Sequence, residues 1–106
     1  MAYAQCLTAL ADGTRRRLYE KLRRGDRSVG ELAKLARISQ PAVSQHLRVL
    51  RAARLVTSRR EGTRQFYRAS PEGLADLRRY VEQLWDEVLE AFAADDPRAS
   101  RSRASR

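Results

Sequence analysis

A mainly α-helical fold with one small β-hairpin is what this chain predicts, in the order helix-helix-helix-helix-strand-strand-helix. Three observations predict it. Apolar residues recur at helical spacing in four short segments before residue 52. Between Leu55 and Ala69 that spacing gives way to two short β-rich runs around a glycine. From Leu74 onward the apolar positions return, three and four residues apart. The chain has 106 residues, a length that suits one domain. We place that domain at residues 1–94, with 95–106 as a basic tail.

Tyr3, Leu7 and Leu10 mark one face of a first helix. Asp12 is placed to cap a second, in which Leu18, Tyr19 and Leu22 lie together and beyond whose end Gly25 stands. Ser28-Val29-Gly30-Glu31 has the pattern of a capping box, where serine and glutamate satisfy each other's free amides. The helix it opens sets Val29, Leu32, Ala33 and Ala36 on one buried stripe. Only Arg37 and Ile38 precede the next cap, Ser39, so the two helices must cross steeply, as in a helix-turn-helix. Val56–Arg59 and Arg64–Tyr67 are the predicted strands, joined by Arg60-Glu61-Gly62-Thr63 with Gly62 free to take a positive φ. Ser70-Pro71 is expected to cap and open the last helix. There Leu74, Leu77, Val81, Leu84 and Val88 form the seam of a helix that lies along another. Trp85, Leu89 and Phe92 widen the stripe beyond what one small domain need cover. The tail repeats Arg, Ala and Ser without apolar periodicity, and disorder is expected there.

The formal net charge is +9, and among 22 basic residues only Lys21 and Lys34 are lysine. Such a charge concentrates polyanions around the protein, nucleic acid foremost and an anionic membrane surface second. The arginine bias suits phosphate forks, although a GC-rich genome produces the same bias. A single cysteine, Cys6, precludes an internal disulfide. The chain also lacks a signal-peptide pattern and an apolar run of about 18 residues, so a soluble, cytoplasmic protein is expected. Nothing pairs a nucleophile with a histidine outside the fourth helix, and there is neither a Gly-rich phosphate loop nor a metal-ligand cluster; an enzyme is not expected.

The fourth helix, Ser39–Arg51, carries the functional signal. At about 100° per residue, Val43, Leu47 and Leu50 fall on one side, while Gln40, Pro41, Ser44, Gln45, Arg48 and Arg51 fall on the other. None of the outward residues is acidic, whereas an ordinary solvated face mixes both signs. Glutamine matches the adenine edge, arginine the guanine edge, and serine a base or a phosphate. Arg59, Arg60 and Arg64 cluster at the hairpin tip, placed to grip phosphates or straddle a minor groove as a wing does. Arg15, Arg16 and Arg17 offer further phosphate contacts or, equally, a solubilising face.

On these residues the chain resembles the ArsR-type family of winged helix-turn-helix repressors. Leu10–Arg17 resembles that family's second-helix opening, Ile38–Leu50 its recognition helix, and Leu55-Val56 followed by Gly62 its wing. The likeness covers about residues 3–92. It implies a homodimer through the first and last helices, binding an imperfect palindrome in double-stranded DNA and blocking transcription. It also implies that His46 packs at the protein–DNA boundary. The interface residues are then Tyr3, Leu7, Leu77, Val81, Leu84, Trp85, Val88 and Phe92. Two departures matter. Arg54 stands where the family commonly has glycine, which costs roughly 1 kcal/mol if the backbone there is left-handed. Metal-responsive members carry a Cys-x-Cys pair where this chain has Ser28 and Gly30. Its last helix offers Asp86, Glu87 and Glu90 but no histidine, so no metal and no cofactor are expected. Other readings stay open: a protein–protein interaction module, a small organic ligand held near Tyr3, Tyr80, Trp85 and Phe92, or a redox response at Cys6.

Overall fold

The computed structural model describes residues 2–95; apart from Asp95, the expected tail lies outside the described residues. The elements are α1 (Ala2–Ala11), α2 (Gly13–Arg23), β1 (Arg27–Ser28), α3 (Val29–Ala36), α4 (Gln40–Ala52), β2 (Val56–Glu61), β3 (Arg64–Ala69) and α5 (Glu72–Ala94). Five helices and the hairpin match expectation.

The caps explain where the helices begin. Asp12 is the one residue between α1 and α2, and its carboxylate accepts from the Arg15 amide at 2.9 Å. Ser28 and Glu31 form the expected capping box: Ser28 Oγ accepts from Glu31 N at 3.2 Å, and Glu31 Oε1 accepts from Ser28 N at 3.1 Å. Ser39 Oγ accepts from Ala42 N at 3.2 Å, with Pro41 in the first turn of α4. Between α3 and α4 the chain turns through Arg37, which is left-handed at φ 57° and ψ 45°. Arg37 and Ile38 both donate their amides to the Ala33 carbonyl, satisfying it as the helix ends.

Three features differ from the sequence reading. A third strand, β1, joins the sheet, whose order is β1-β3-β2 and whose pairs are antiparallel. The hairpin strands run further than expected, leaving only Gly62-Thr63 as the loop. Gly62, at φ 61°, supplies the positive φ at the first loop position that a type II′ turn requires. And α5 starts one residue later than Ser70-Pro71 implied, with Pro71 at its cap position. Ser70 is held back because its amide donates to Leu55 O at 2.9 Å; its hydroxyl still accepts from Glu72 N at 3.4 Å.

The core joins Leu18, Tyr19 and Leu22 of α2, Leu32 of α3, and Val43, Leu47 and Leu50 of α4 with Cys6 and Ala9 of α1 and Leu55 and Val56 at the start of the wing. In α2, α3 and α4 these are the inward faces that the helical periodicity selects; in α1 the buried residues are Cys6 and Ala9 rather than the expected Tyr3, Leu7 and Leu10, and Leu7 is exposed. The long α5 packs chiefly on α1. Among the described residues no helix is long and apolar enough to cross a membrane.

Candidate nucleic-acid interface

Packing decides which face of α4 is presented. Val43, Leu47 and Leu50 are sealed against α2 and α3, so the 3.6-residue repeat turns Gln40, Pro41, Ser44, Gln45, Arg48 and Arg51 outward, and all six are exposed. Among the described residues, Arg48 and Arg51 have no carboxylate within ion-pair distance, and α4 itself carries no acid. The face therefore presents two uncompensated guanidinium groups beside two primary amides and a hydroxyl. His46 is half-buried on the flank of α4. Nearby, the Asp12 pKa is lowered, first by the hydrogen bond from the Arg15 backbone and then by the Arg15 charge.

The wing lies next in the chain. Arg60 is exposed, with no carboxylate partner among the described residues. Arg59 and Arg64 are differently placed. Each guanidinium carbon lies 5.1 Å from the centroid of the Phe66 ring, so the two bracket that ring. Arg59 also pairs with Asp26, and with Glu61 at 3.7 Å; Arg64 meets Glu31 at 3.8 Å. Sequence reasoning selected these arginines and missed their carboxylate partners. Glu61 is a near neighbour on the same strand, but Asp26 and Glu31 lie in the α2–β1 turn and the first turn of α3, far from the wing in sequence, and no local pattern links them.

Arg15 and Arg16, expected to offer phosphate contacts or a solubilising face, are tied to the end of α1. Arg15 Nε donates to Ala9 O at 2.9 Å and its Nη2 to Thr8 O at 3.3 Å, while Arg16 Nη1 donates to Leu10 O at 3.0 Å. They satisfy carbonyls that the end of α1 would otherwise leave open. Arg17, also exposed, reaches Thr14 Oγ1 at 3.5 Å.

A second surface runs along α5. Trp85 is 65% exposed, Val88 64% and Phe92 73%, and Val81, Leu84, Leu89 and, on α1, Leu7 are exposed as well. Leu77 instead packs against the core. Tyr3 and Tyr80 stack on each other, ring centroids 3.9 Å apart and planes within 7°. One face of each ring is thereby covered by the other. Cys6 is fully buried; burial first, and the Asp76 charge second, push its thiol pKa up. That disfavours the reactive thiolate. Of the two positions where the resemblance places metal-binding cysteines, Ser28 is engaged by its capping hydrogen bonds, while Gly30 has ordinary van der Waals room around it.

Residues 12–58 match the family model described as bacterial regulatory protein, arsR family. The chain is 52% identical over 85 residues to the HTH-type transcriptional regulator Rv2034 of Mycobacterium tuberculosis, covering 80% of this chain and 79% of that one. It is 40% identical over 93 residues to a transcriptional repressor SmtB homolog of Synechocystis, covering 88% of this chain and 65% of the relative. It spans 40% of another, longer Mycobacterium tuberculosis regulator. Among solved structures, it resembles the homodimeric winged helix-turn-helix DNA-binding domain Mb0332 of Mycobacterium bovis. The TM-score is 0.66 and the identity 37%, with 85% of this chain and 83% of that one covered.

Proposed function

The chain belongs to the ArsR family of bacterial transcriptional regulators, and we propose that it is a homodimeric, metal-independent repressor that binds an imperfect palindrome in duplex DNA. The observation that carries this reading is the exposed face of α4, polar, basic and free of acid. In the proposed complex α4 enters the major groove. Arg48 and the amides of Gln40 and Gln45 read base edges, Ser44 and Arg51 grip bases or phosphates, and Ser39 and His46 lie at the boundary. Arg59, Arg60 and Arg64 bind the flanking backbone from the wing. The exposed apolar stripe of α5, with Leu7 and Tyr3 of α1, is the surface the two subunits share. Two copies would then present two recognition helices about one DNA turn, roughly 34 Å, apart, which is why the operator should be palindromic. Repression follows if the occupied site overlaps a promoter, and the protein acts in the cytoplasm, where that DNA is.

Metal independence is supported by chemistry: Ser28 and Gly30 offer no thiolate where metal-responsive members have two. A role as a protein–protein module would call for an apolar or acidic α4 face, and this one is neither. The test is Arg48→Ala at a mapped operator. Its affinity should fall by roughly 1–3 kcal/mol, with discrimination relaxed at the base pair that Arg48 reads. Unchanged binding in a titration of labelled duplex would remove α4 from the interface.

A further inference from the structure

Two of the three wing arginines, Arg59 and Arg64, are already in contact with carboxylates; apart from Glu61, which meets Arg59 from its own strand, those carboxylates belong to the helix-turn-helix body. Asp26, in the turn between α2 and β1, pairs with Arg59 and lies 3.8 Å from Arg68 Nε; Glu31 lies 3.8 Å from Arg64 Nη2. Phe66 fixes the spacing of the pair, since Arg59 and Arg64 stand over the same ring. Asp26 is thus shared by two strands, touching Arg59 on β2 and Arg68 on β3. Arg48, Arg51 and Arg60, by contrast, have no carboxylate partner among the described residues. The basic surface therefore divides into free cations and cations held in check.

We propose that Asp26 and Glu31 restrain the wing: they compete with DNA phosphates for Arg59 and Arg64, and so lower affinity for duplex DNA of any sequence. This rests on the wing contacting DNA, as set out above. The physical basis is an exchange. A phosphate that engages Arg59 must replace or share the Asp26 carboxylate, so part of the favourable contact offsets an ion pair already made. Each exposed pair is worth little, which suits a restraint that DNA can overcome. The benefit falls on selectivity, because phosphate contacts strengthen specific and non-specific complexes alike while base contacts strengthen only the specific one. Glu31 retains its second task throughout, accepting from the Ser28 amide, and a glutamine there can still make that bond.

The experiment measures binding to a duplex of mixed sequence at several salt concentrations. Asp26→Asn should tighten binding by about two- to fivefold. It should also steepen the salt dependence by up to about 0.9, the slope of one added phosphate contact. The decisive arm is a double-mutant cycle: in an Arg59→Ala background, Asp26→Asn should lose most of that gain. The cycle of Glu31→Gln with Arg64→Ala should behave the same way, and serves if Asp26→Asn loosens the fold. Glu20→Gln removes an exposed carboxylate from α2 that pairs with no wing arginine, and should change binding less. An equal gain from Glu20→Gln, or an undiminished gain from Asp26→Asn without Arg59, would mean a general field effect and overturn the restraint. If Arg59→Ala and Arg64→Ala leave binding intact while Arg48→Ala weakens it, the wing is off the DNA. The inference then fails while the α4 reading stands. If Arg48→Ala also binds normally, that reading has failed.

Discussion

Two arginines occupy left-handed backbone, Arg37 at φ 57° and Arg54 at φ 61°. An L side chain in that region brings Cβ close to the following carbonyl oxygen, at a cost of about 1–2 kcal/mol. The two sites differ in what offsets it. Arg54 Nε lies 3.4 Å from Glu72, and its Nη1 3.4 Å from Asp76 on α5. Arg37 has no ion pair among the described residues. Arg37→Gly should therefore raise stability by about 1 kcal/mol, seen as a higher urea midpoint. No gain would mean that the residue has a compensating partner. The sequence bore unequally on these two sites. Arg54 stands where the resembling family has glycine, whereas the two-residue turn at Arg37 implies a crossing angle but no backbone sign. Arg15 and Arg16 show the same limit. Their charge is plain in the sequence, but their use depends on where the end of α1 comes to lie.

At the level of elements, the end of the recognition helix and the start of α5 are joined at one close contact. Gly73 N donates to Arg54 O at 2.8 Å. A Cβ on Gly73 would run into the Ala53 carbonyl oxygen and lie 3.0 Å from Arg54 O. Both obstacles are backbone, so neither can swing aside. Gly73→Ala should destabilise the fold by about 1–3 kcal/mol, the usual range for overpacking, and shift α5 against α4. Thermal unfolding reads the first effect, and an unaltered melting temperature would show that the joint has slack. Glycine in the first turn of a helix gave no sequence signal, since its reason is a neighbour twenty residues back. β1 was equally invisible: two residues are too few for any period, and Arg27 and Ser28 become a strand only by pairing with Tyr67 and Phe66. The helix caps and the inward stripes of α2, α3 and α4, by contrast, follow from contacts three and four residues apart, which is why they are readable.

Among the described residues, the exposed large apolar side chains concentrate along α5, where Val81, Leu84, Trp85, Val88, Leu89 and Phe92 form one stripe. Trp85, Val88 and Phe92 project from the C-terminal half of α5, beyond the reach of the core. Since Val88 is mostly exposed within one chain, Val88→Glu should leave the helical signal intact yet yield monomers. Palindrome binding should weaken sharply with the loss of the second half-site. Light scattering distinguishes the outcomes; a variant that remained dimeric would place the subunit contact elsewhere. The seam was evident from spacing alone, but periodicity names a face and not its occupant.

The stacking of Tyr3 on Tyr80 also has a bearing on how the chain comes into being. α2, α3 and α4 find their packing partners among near neighbours, so the DNA-reading unit closes through short loops that cost little entropy. α1 precedes these helices in the chain, yet its companion follows them, because α5 is its principal contact. During synthesis the first helix therefore waits with its outer side uncovered while the reading head assembles behind it. In the proposed dimer, subunit pairing uses the same late helix and so can begin only once α5 has been made, which leaves the capacity to recognise a half-site older than the capacity to pair.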